Sequence, residues 1–312
     1  PPYNATLDNF AYPFKVARFS FESQGQTLSM AYMDVKPQGD PKATVVLLHG
    51  KNFSGFYWER IASELAGMSY RVIIPDQIGF GKSSKPEHYQ YSFAGLANNT
   101  RQLLEHLNVK QATIVGHSMG GMLAVKLAKY AKNNTTKLIL INPIGLENYL
   151  LYERYTDPGK VMENELNKTP DMIVSYQKKH YYDGKWNDEF ASHAAFQQGW
   201  INGPDWPQLA QVSTLTYDMI FTQPVIEEFD HFSMPVSMIL GTRDRTAPGA
   251  ANIRPGVERQ LGRYDKLGDE VKARNGNINV IGLSGLGHLP HIEDFDRFTT
   301  AFSAALHQKT SP

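Results

Sequence analysis

The chain has 312 residues, 41% of them hydrophobic, enough to bury a substantial core as one large α/β domain or as two domains. Lysine plus arginine and aspartate plus glutamate balance at 31 each, so nothing points to nucleic acid or an anionic membrane surface, and no apolar run approaches a membrane span. Cysteine is absent, which excludes a disulfide framework, a thiol nucleophile and a thiolate metal site. The start at Pro1-Pro2 and the lack of thiols fit an exported protein, periplasmic or secreted, whose signal peptide has been removed. A trimmed start on a cytoplasmic chain is the plainer alternative.

Residues 1–14 read as an irregular leader. Lys15 to Phe21 and Thr27 to Met33 alternate as two strands, joined by a turn at Ser23-Gln24-Gly25-Gln26. Ala43 to Leu48 is a strong buried strand ending in His49-Gly50-Lys51-Asn52-Phe53, with Ser54 as cap for a helix over 55–66. Tyr70 to Pro75 is the next strand and runs into the glycine-punctuated loop from Asp76 to Ser83. A helix is expected over 92–107, then a strand at Ala112-Thr113-Ile114-Val115, a helix from Gly121, and a strand from Lys137 to Ile141. Residues 43–145 thus alternate strand and helix, the pattern of a parallel sheet covered on both faces, with ligands expected beyond the C-terminal strand ends.

The alternation stops between 146 and 229, where helices are expected over 159–168, from Thr169-Pro170 to about 182, and over 188–199 and 207–222. This stretch reads as a helical insertion capping the sheet, and Tyr149, Tyr152, Trp186 and Trp200 are open candidates for the pocket roof. The sheet resumes at Val236 to Leu240, followed by a mostly helical excursion to Arg274, a last strand from Ile278 to Leu283, and a helix over 293–307.

Gly116-His117-Ser118-Met119-Gly120 reads G-x-S-x-G between a strand and a helix, the setting in which the pattern forms a sharp turn that exposes a strained serine. A serine hydroxyl needs a base and the base needs an orienting partner. His288, in a Gly-flanked loop after the last strand, is the expected base, with His291 a structural neighbour and His117 a packed core imidazole. Asp244, four residues past Leu240, is the expected acid. Glu147 is the second choice, and Glu293 and Asp294 read as charges at a helix start. The oxyanion donors are expected to be the backbone N–H groups of Met119 and Lys51, with Asn52 as runner-up for the second. The Lys51 side chain is either solvated or a cation that attracts an anionic substrate group, and His49 braces the loop.

These motifs, with His49-Gly50, Asp76-x-x-Gly79-x-Gly81-x-Ser83, Gly241-x-x-Asp244-x-x-x-Pro248 and Gly287-His288-x-Pro290, resemble the α/β-hydrolase family over nearly the whole chain. The loop His49-Gly50-Lys51-Asn52-Phe53 looks like that of a group of bacterial hydrolases that are often exported. The resemblance implies an eight-stranded, mostly parallel sheet flanked by helices, with core segments 1–145 and 230–312 and a helical cap at 146–229. It implies no metal and no organic cofactor, and it carries the roles above to Ser118, Asp244, His288, Met119 and Lys51. Serine at position 118, where dehalogenases and epoxide hydrolases of this fold use aspartate, argues against both activities. The loop after the first core strand likewise differs from the His-Gly-Gly-Pro-Gly of proline iminopeptidases.

The expected activity is hydrolysis of a carboxylic ester, or a lactone, of a small and largely apolar molecule. A carbon–carbon bond hydrolase of ring-cleavage dienoates is the second reading, and a ligand-binding protein that keeps the fold is the third. The substrate, the acyl-chain length and the oligomeric state are not written in the sequence.

Overall fold

β-Branched and aliphatic runs too short for helices form the middle of an eight-stranded sheet. The computed structural model describes residues 1–309. In chain order it contains β1 (Val16–Ser23), β2 (Gln26–Val35), β3 (Ala43–Leu48), α1 (Glu59–Gly67), β4 (Tyr70–Pro75) and α2 (Phe93–His106). Next come β5 (Ala112–His117), α3 (Met119–Tyr130) and β6 (Thr135–Ile141). Four helices follow, α4 (Pro158–Leu166), α5 (Pro170–His180), α6 (Asp188–Ile201) and α7 (Trp206–Thr222). The chain ends with β7 (Val236–Gly241), α8 (Tyr264–Arg274), β8 (Asn279–Leu283), α9 (Pro290–Glu293) and α10 (Phe295–Leu306).

The strand order is β1-β2-β4-β3-β5-β6-β7-β8, antiparallel at β1/β2 and β2/β4 and parallel from β4 to β8. Alternate residues of each strand feed two separate cores. Val46, Leu48 and Ile73 join Leu103 of α2 and Leu123 of α3 on one face. Val45, Leu47 and Val72 join Leu65 of α1 and Phe298 of α10 on the other. Burial on both faces is why the central strands read as continuous apolar runs rather than as alternating ones. No helix of the described residues is long and apolar enough to cross a membrane.

Three local expectations fail for identifiable reasons. Ser54 does not cap a helix: its hydroxyl is 2.8 Å from that of Tyr12, residues Gly55–Trp58 make a 3-10 turn, and α1 starts at Glu59. The excursion before α8 is mostly irregular, because Pro248, Pro255 and three glycines with positive φ (Gly249, Gly256 and Gly262) interrupt it. The final helix breaks at Asp294, whose extended backbone and side chain, accepting from the Arg297 N–H at 3.2 Å, start α10 afresh. The leader is irregular as expected but well anchored. Leu7 is fully buried, and Tyr3 N–H donates to Gly199 O of α6 at 2.8 Å.

The turn between β5 and α3 fixes the site. Ser118 has φ 56 and ψ −121, a backbone conformation that costs a non-glycine residue about 1–3 kcal/mol. The glycines around it allow contacts no other residue could. A Cβ on Gly116 would lie 2.1 Å from Gly120 O, and one on Gly120 would lie 2.2 Å from Leu48 O. Both obstacles are backbone, so neither can swing aside. Gly120→Ala is expected to lower stability by about 2 kcal/mol or more, read as a fall of several degrees in Tm. Gly67→Ala, at a position with nothing within 4 Å of the added carbon, serves as the control. Equal Tm values for the two variants would refute the packing account.

Candidate active site

Three side chains from three different strand ends meet in a row of hydrogen bonds. Ser118 follows β5, Asp244 follows β7 and His288 follows β8. The Ser118 hydroxyl donates to His288 Nε2 at 2.9 Å, and His288 Nδ1–H donates to Asp244 Oδ2 at 2.6 Å. An acceptor carboxylate on Nδ1 leaves the Nε2 lone pair facing the serine, which is the tautomer a general base needs. Asp244 and His288 are almost fully buried, and Ser118 is 8% exposed at the cavity floor.

Burial alone would raise the Asp244 carboxyl. The facing His288 and two bonds from Thr246 outweigh it and hold the group below its usual range. Those bonds come from the Thr246 N–H at 2.8 Å and its hydroxyl at 2.6 Å. Asn142 supplies a further donor that the sequence reading missed. Its Nδ2 reaches Asp244 Oδ2 at 2.9 Å, while its Oδ1 accepts from Gly241 N–H at 2.8 Å. A polar residue closing the apolar strand β6 was the available signal. Glu147, the alternative acid, is occupied elsewhere: it pairs with Arg259 at 2.7 Å and accepts from Gly262 N–H at 2.9 Å.

His117 points away from the serine hydroxyl, as expected of a packed imidazole, but it also ties two loops together. Its Nε2–H donates to the His288 carbonyl at 2.8 Å, and its Nδ1 accepts from the Tyr57 hydroxyl at 2.7 Å. Tyr57 accepts in turn from Gly50 N–H at 2.9 Å. Burial first, then the neighbouring His288, holds the His117 imidazole well below its ordinary pKa, so it stays neutral and keeps one donor and one acceptor. His291 stacks on Trp58, with ring centroids 5.2 Å apart. Glu293 does more than mark a helix start. It accepts from Gly287 N–H at 2.8 Å and pairs with Arg243 at 2.8 Å, which fixes the loop carrying His288. His49 braces its own loop as expected, with Nδ1 on Gly50 O at 2.9 Å and Nε2 accepting from Gln77 N–H at 3.1 Å.

The loop after β3 runs against Ser118: a Cβ on Gly50 would lie 3.2 Å from Ser118 Cβ. The backbone N–H groups of Lys51, Asn52 and Met119 make no hydrogen bond to other described residues. The Lys51 side chain is neither solvated nor held out for an anion. Its ammonium donates to Ser213 O at 2.8 Å, Ser213 Oγ at 3.0 Å and Thr216 Oγ1 at 2.8 Å, all on α7. Burial lowers its pKa to about 7. A cavity of about 430 Å³ opens above Ser118 and His288, walled by Ile173, Tyr176, Tyr217 and Ile220 of α5 and α7. None of Tyr149, Tyr152, Trp186 and Trp200 borders it. Tyr181 does, with its ring stacked on His288 at 5.2 Å between centroids.

A serine on a strained strand-to-helix turn, linked through a histidine to an aspartate at three strand ends of such a sheet, is an arrangement typical of the α/β hydrolases, and the chain belongs to that family. The model of the alpha/beta hydrolase fold matches residues 43–219. The crystal structure of a “probable hydrolytic enzyme” from Pseudomonas aeruginosa PAO1 is 42% identical, covers 99% of both chains and superposes with a TM-score of 0.95. An uncharacterized hydrolase of Bacillus subtilis is 30% identical over 152 residues, 44% of this chain and 55% of that one. A cis-3-alkyl-4-alkyloxetan-2-one decarboxylase of Xanthomonas campestris is 31% identical over 123 residues, 37% of this chain and 40% of that one. The chain spans 55% and 40% of the length of these two curated relatives and 29% of three mycobacterial ones.

One buried acid near the cavity takes no part in this row. Glu153 is fully buried, neither carboxyl oxygen has a partner among the described residues, and Oε2 would be 2.3 Å from a Cβ on the cavity residue Gly249. Burial, then Glu147, raises its pKa from 4.5 to about 8. Between those values the folded chain holds a proton that the unfolded chain releases, so stability falls as pH rises through the window. The Tm of Glu153→Gln should therefore gain steadily on wild type as pH moves from about 5 to about 8. A pH-independent difference would contradict the assignment.

Proposed function

We propose that the enzyme cleaves carboxylic esters, lactones included, through an acyl-enzyme on Ser118. The observation that carries this reading is the unbroken row Ser118 Oγ, His288 Nε2, His288 Nδ1, Asp244 Oδ2, at 2.9 and 2.6 Å. Ser118 Oγ bonds to the carbonyl carbon while its proton passes to His288 Nε2. Asp244 stabilises the resulting imidazolium and keeps the ring oriented. The oxyanion accepts from the N–H groups of Met119 and Lys51, with Asn52 in reserve, at the N-terminus of α3. His288 then returns the proton to the departing alkoxide oxygen and the carbon–oxygen bond breaks. Water repeats the sequence on the acyl-enzyme, giving a carboxylic acid and free Ser118. In a lactone the departing alcohol stays tethered to the acyl group.

The helices between β6 and β7, residues 146–229 in this reading, act as a cap whose α5 and α7 wall the acyl site with apolar side chains, which suits a small substrate. A carbon–carbon hydrolase of dienoates would use a free Lys51 cation to meet the substrate carboxylate, and that ammonium is engaged on α7. Turnover of a nitrophenyl ester separates an enzyme from a binder. Ser118→Ala is expected to lose fluorophosphonate labelling and to lower kcat by about 10⁴-fold or more. Equal labelling of variant and wild type would end the acyl-enzyme reading.

A further inference from the structure

Gln177 on α5 borders the cavity that holds Ser118 and His288. It is 1% exposed, and neither Nε2 nor Oε1 has a hydrogen-bond partner among the described residues. Folded chains bury an amide in this state at a cost, and such groups generally find a partner in water or a ligand. The amide's position relative to the chemistry is set by the helix. Tyr181 N–H donates to the Gln177 backbone oxygen at 2.8 Å, so the two residues stand four positions, just over one turn, apart, about 6 Å along the axis. Tyr181 stacks on His288, and its hydroxyl accepts from Asn52 Nδ2 at 3.1 Å. Gln177 therefore stands about one helical turn before the residue that stacks on His288, and it lines the same cavity as Ser118.

The charges around the cavity are already met. Glu165 and Lys168 pair at 2.6 Å, and the three donors of Lys51 lie on Ser213 and Thr216. A charged substrate group would find no unengaged counter-ion among these cavity residues, whereas a neutral polar group would meet Gln177. That amide offers an acceptor and a donor side by side. Its complement has an N–H and a C=O on one side, as in a primary carboxamide or a lactam, and an alkyl chain would leave both atoms unpaired.

We propose that Gln177 anchors the acyl part of the substrate through a neutral carboxamide-type group about one helical turn from the ester. Ile173 and Tyr176 flank the intervening methylenes. This assignment rests on the acyl-enzyme reading above, and the two can fail separately.

Three nitrophenyl esters of matched length test it: 4-carbamoylbutanoate, its alkyl isostere 5-methylhexanoate, and the half-ester of glutarate as the charged member. Their reacting carbonyls are alike, because the variable group lies three methylenes away. Wild type is expected to favour the carbamoyl ester over the alkyl ester by about 10-fold or more in kcat/KM, with the carboxylate poorest. In Gln177→Met and in Gln177→Glu that preference should fall by about fivefold or more. Methionine matches the volume and removes no bond to the protein, so folding is not the variable there; glutamate keeps the shape while losing the donor, and its Tm is measured alongside because it buries an unpaired carboxyl. A preference that stays within about twofold of wild type in both variants, or a carboxylate ester as best substrate, overturns the assignment. In that case fluorophosphonate labelling of Ser118 would leave the acyl-enzyme reading standing. Absence of both labelling and nitrophenol release would overturn that reading, and this assignment with it.

Discussion

Two backbone segments approach so closely at the rim of the sheet that only hydrogen fits between them. The contact of Gly120 with Leu48 O and of Gly116 with Gly120 O presses the start of α3 against the ends of β3 and β5. Ser118 is held in its unfavourable backbone conformation by that contact, not by any bond of its own side chain. The same contact brings the loop after β3 alongside the serine, so Ser118 and that loop are positioned by one packing constraint. The strain is local and fixed before any substrate arrives.

The other loops are then tied to this rim by polar groups that are neutral or paired. The relay from Gly50 through Tyr57 and His117 to the His288 carbonyl joins the loop after β3 to the loop after β8 across the turn after β5. Asn142 joins the end of β6 to Asp244, and Glu293 with Arg243 closes the far side. Each buried polar atom in these chains has a partner of the right kind, which lets them specify geometry at little cost. Lys51 extends the linkage to α7, so the loop after β3 and the roof of the cavity share an anchor.

The rim was legible in the sequence because glycine and strand ends mark it. Ser118, His288 and Asp244 each fall just past a β-branched run, and the crowded glycines around Ser118 form a pattern of fixed spacing. The links between loops were not legible. His117, Glu293 and Asn142 act through partners 171, 6 and 102 residues distant. Nothing local distinguishes such a residue from an ordinary polar one. Lys51 was misread for the same reason, since the direction of a flexible four-carbon stem is decided by a helix that begins more than 150 residues later. The cavity wall was misread in kind. Aromatic content marks a packed segment, but which face of α5 meets the serine is a tertiary fact. Tyr176, Tyr181 and Tyr217 line the space while Trp186 and Trp200 do not.

The leader illustrates what such distant partnerships demand of the chain in time. Tyr3 lies against Gly199 and Gly203, where an added Cβ would come within 2.0 Å of it, and Ala5 N–H donates to Asp205 at 2.7 Å. Tyr12 donates to Asp76 at 2.6 Å, and Phe10 packs edge-on against Phe56 of the core and Phe196 of α6. Residues 3–12 therefore find part of their binding surface about 200 residues downstream. They must wait, apolar and unpaired, until α6 is made, and their docking closes one of the longest loops in the molecule. The leader is thus a strap that ties α6 to the sheet from the opposite end of the sequence.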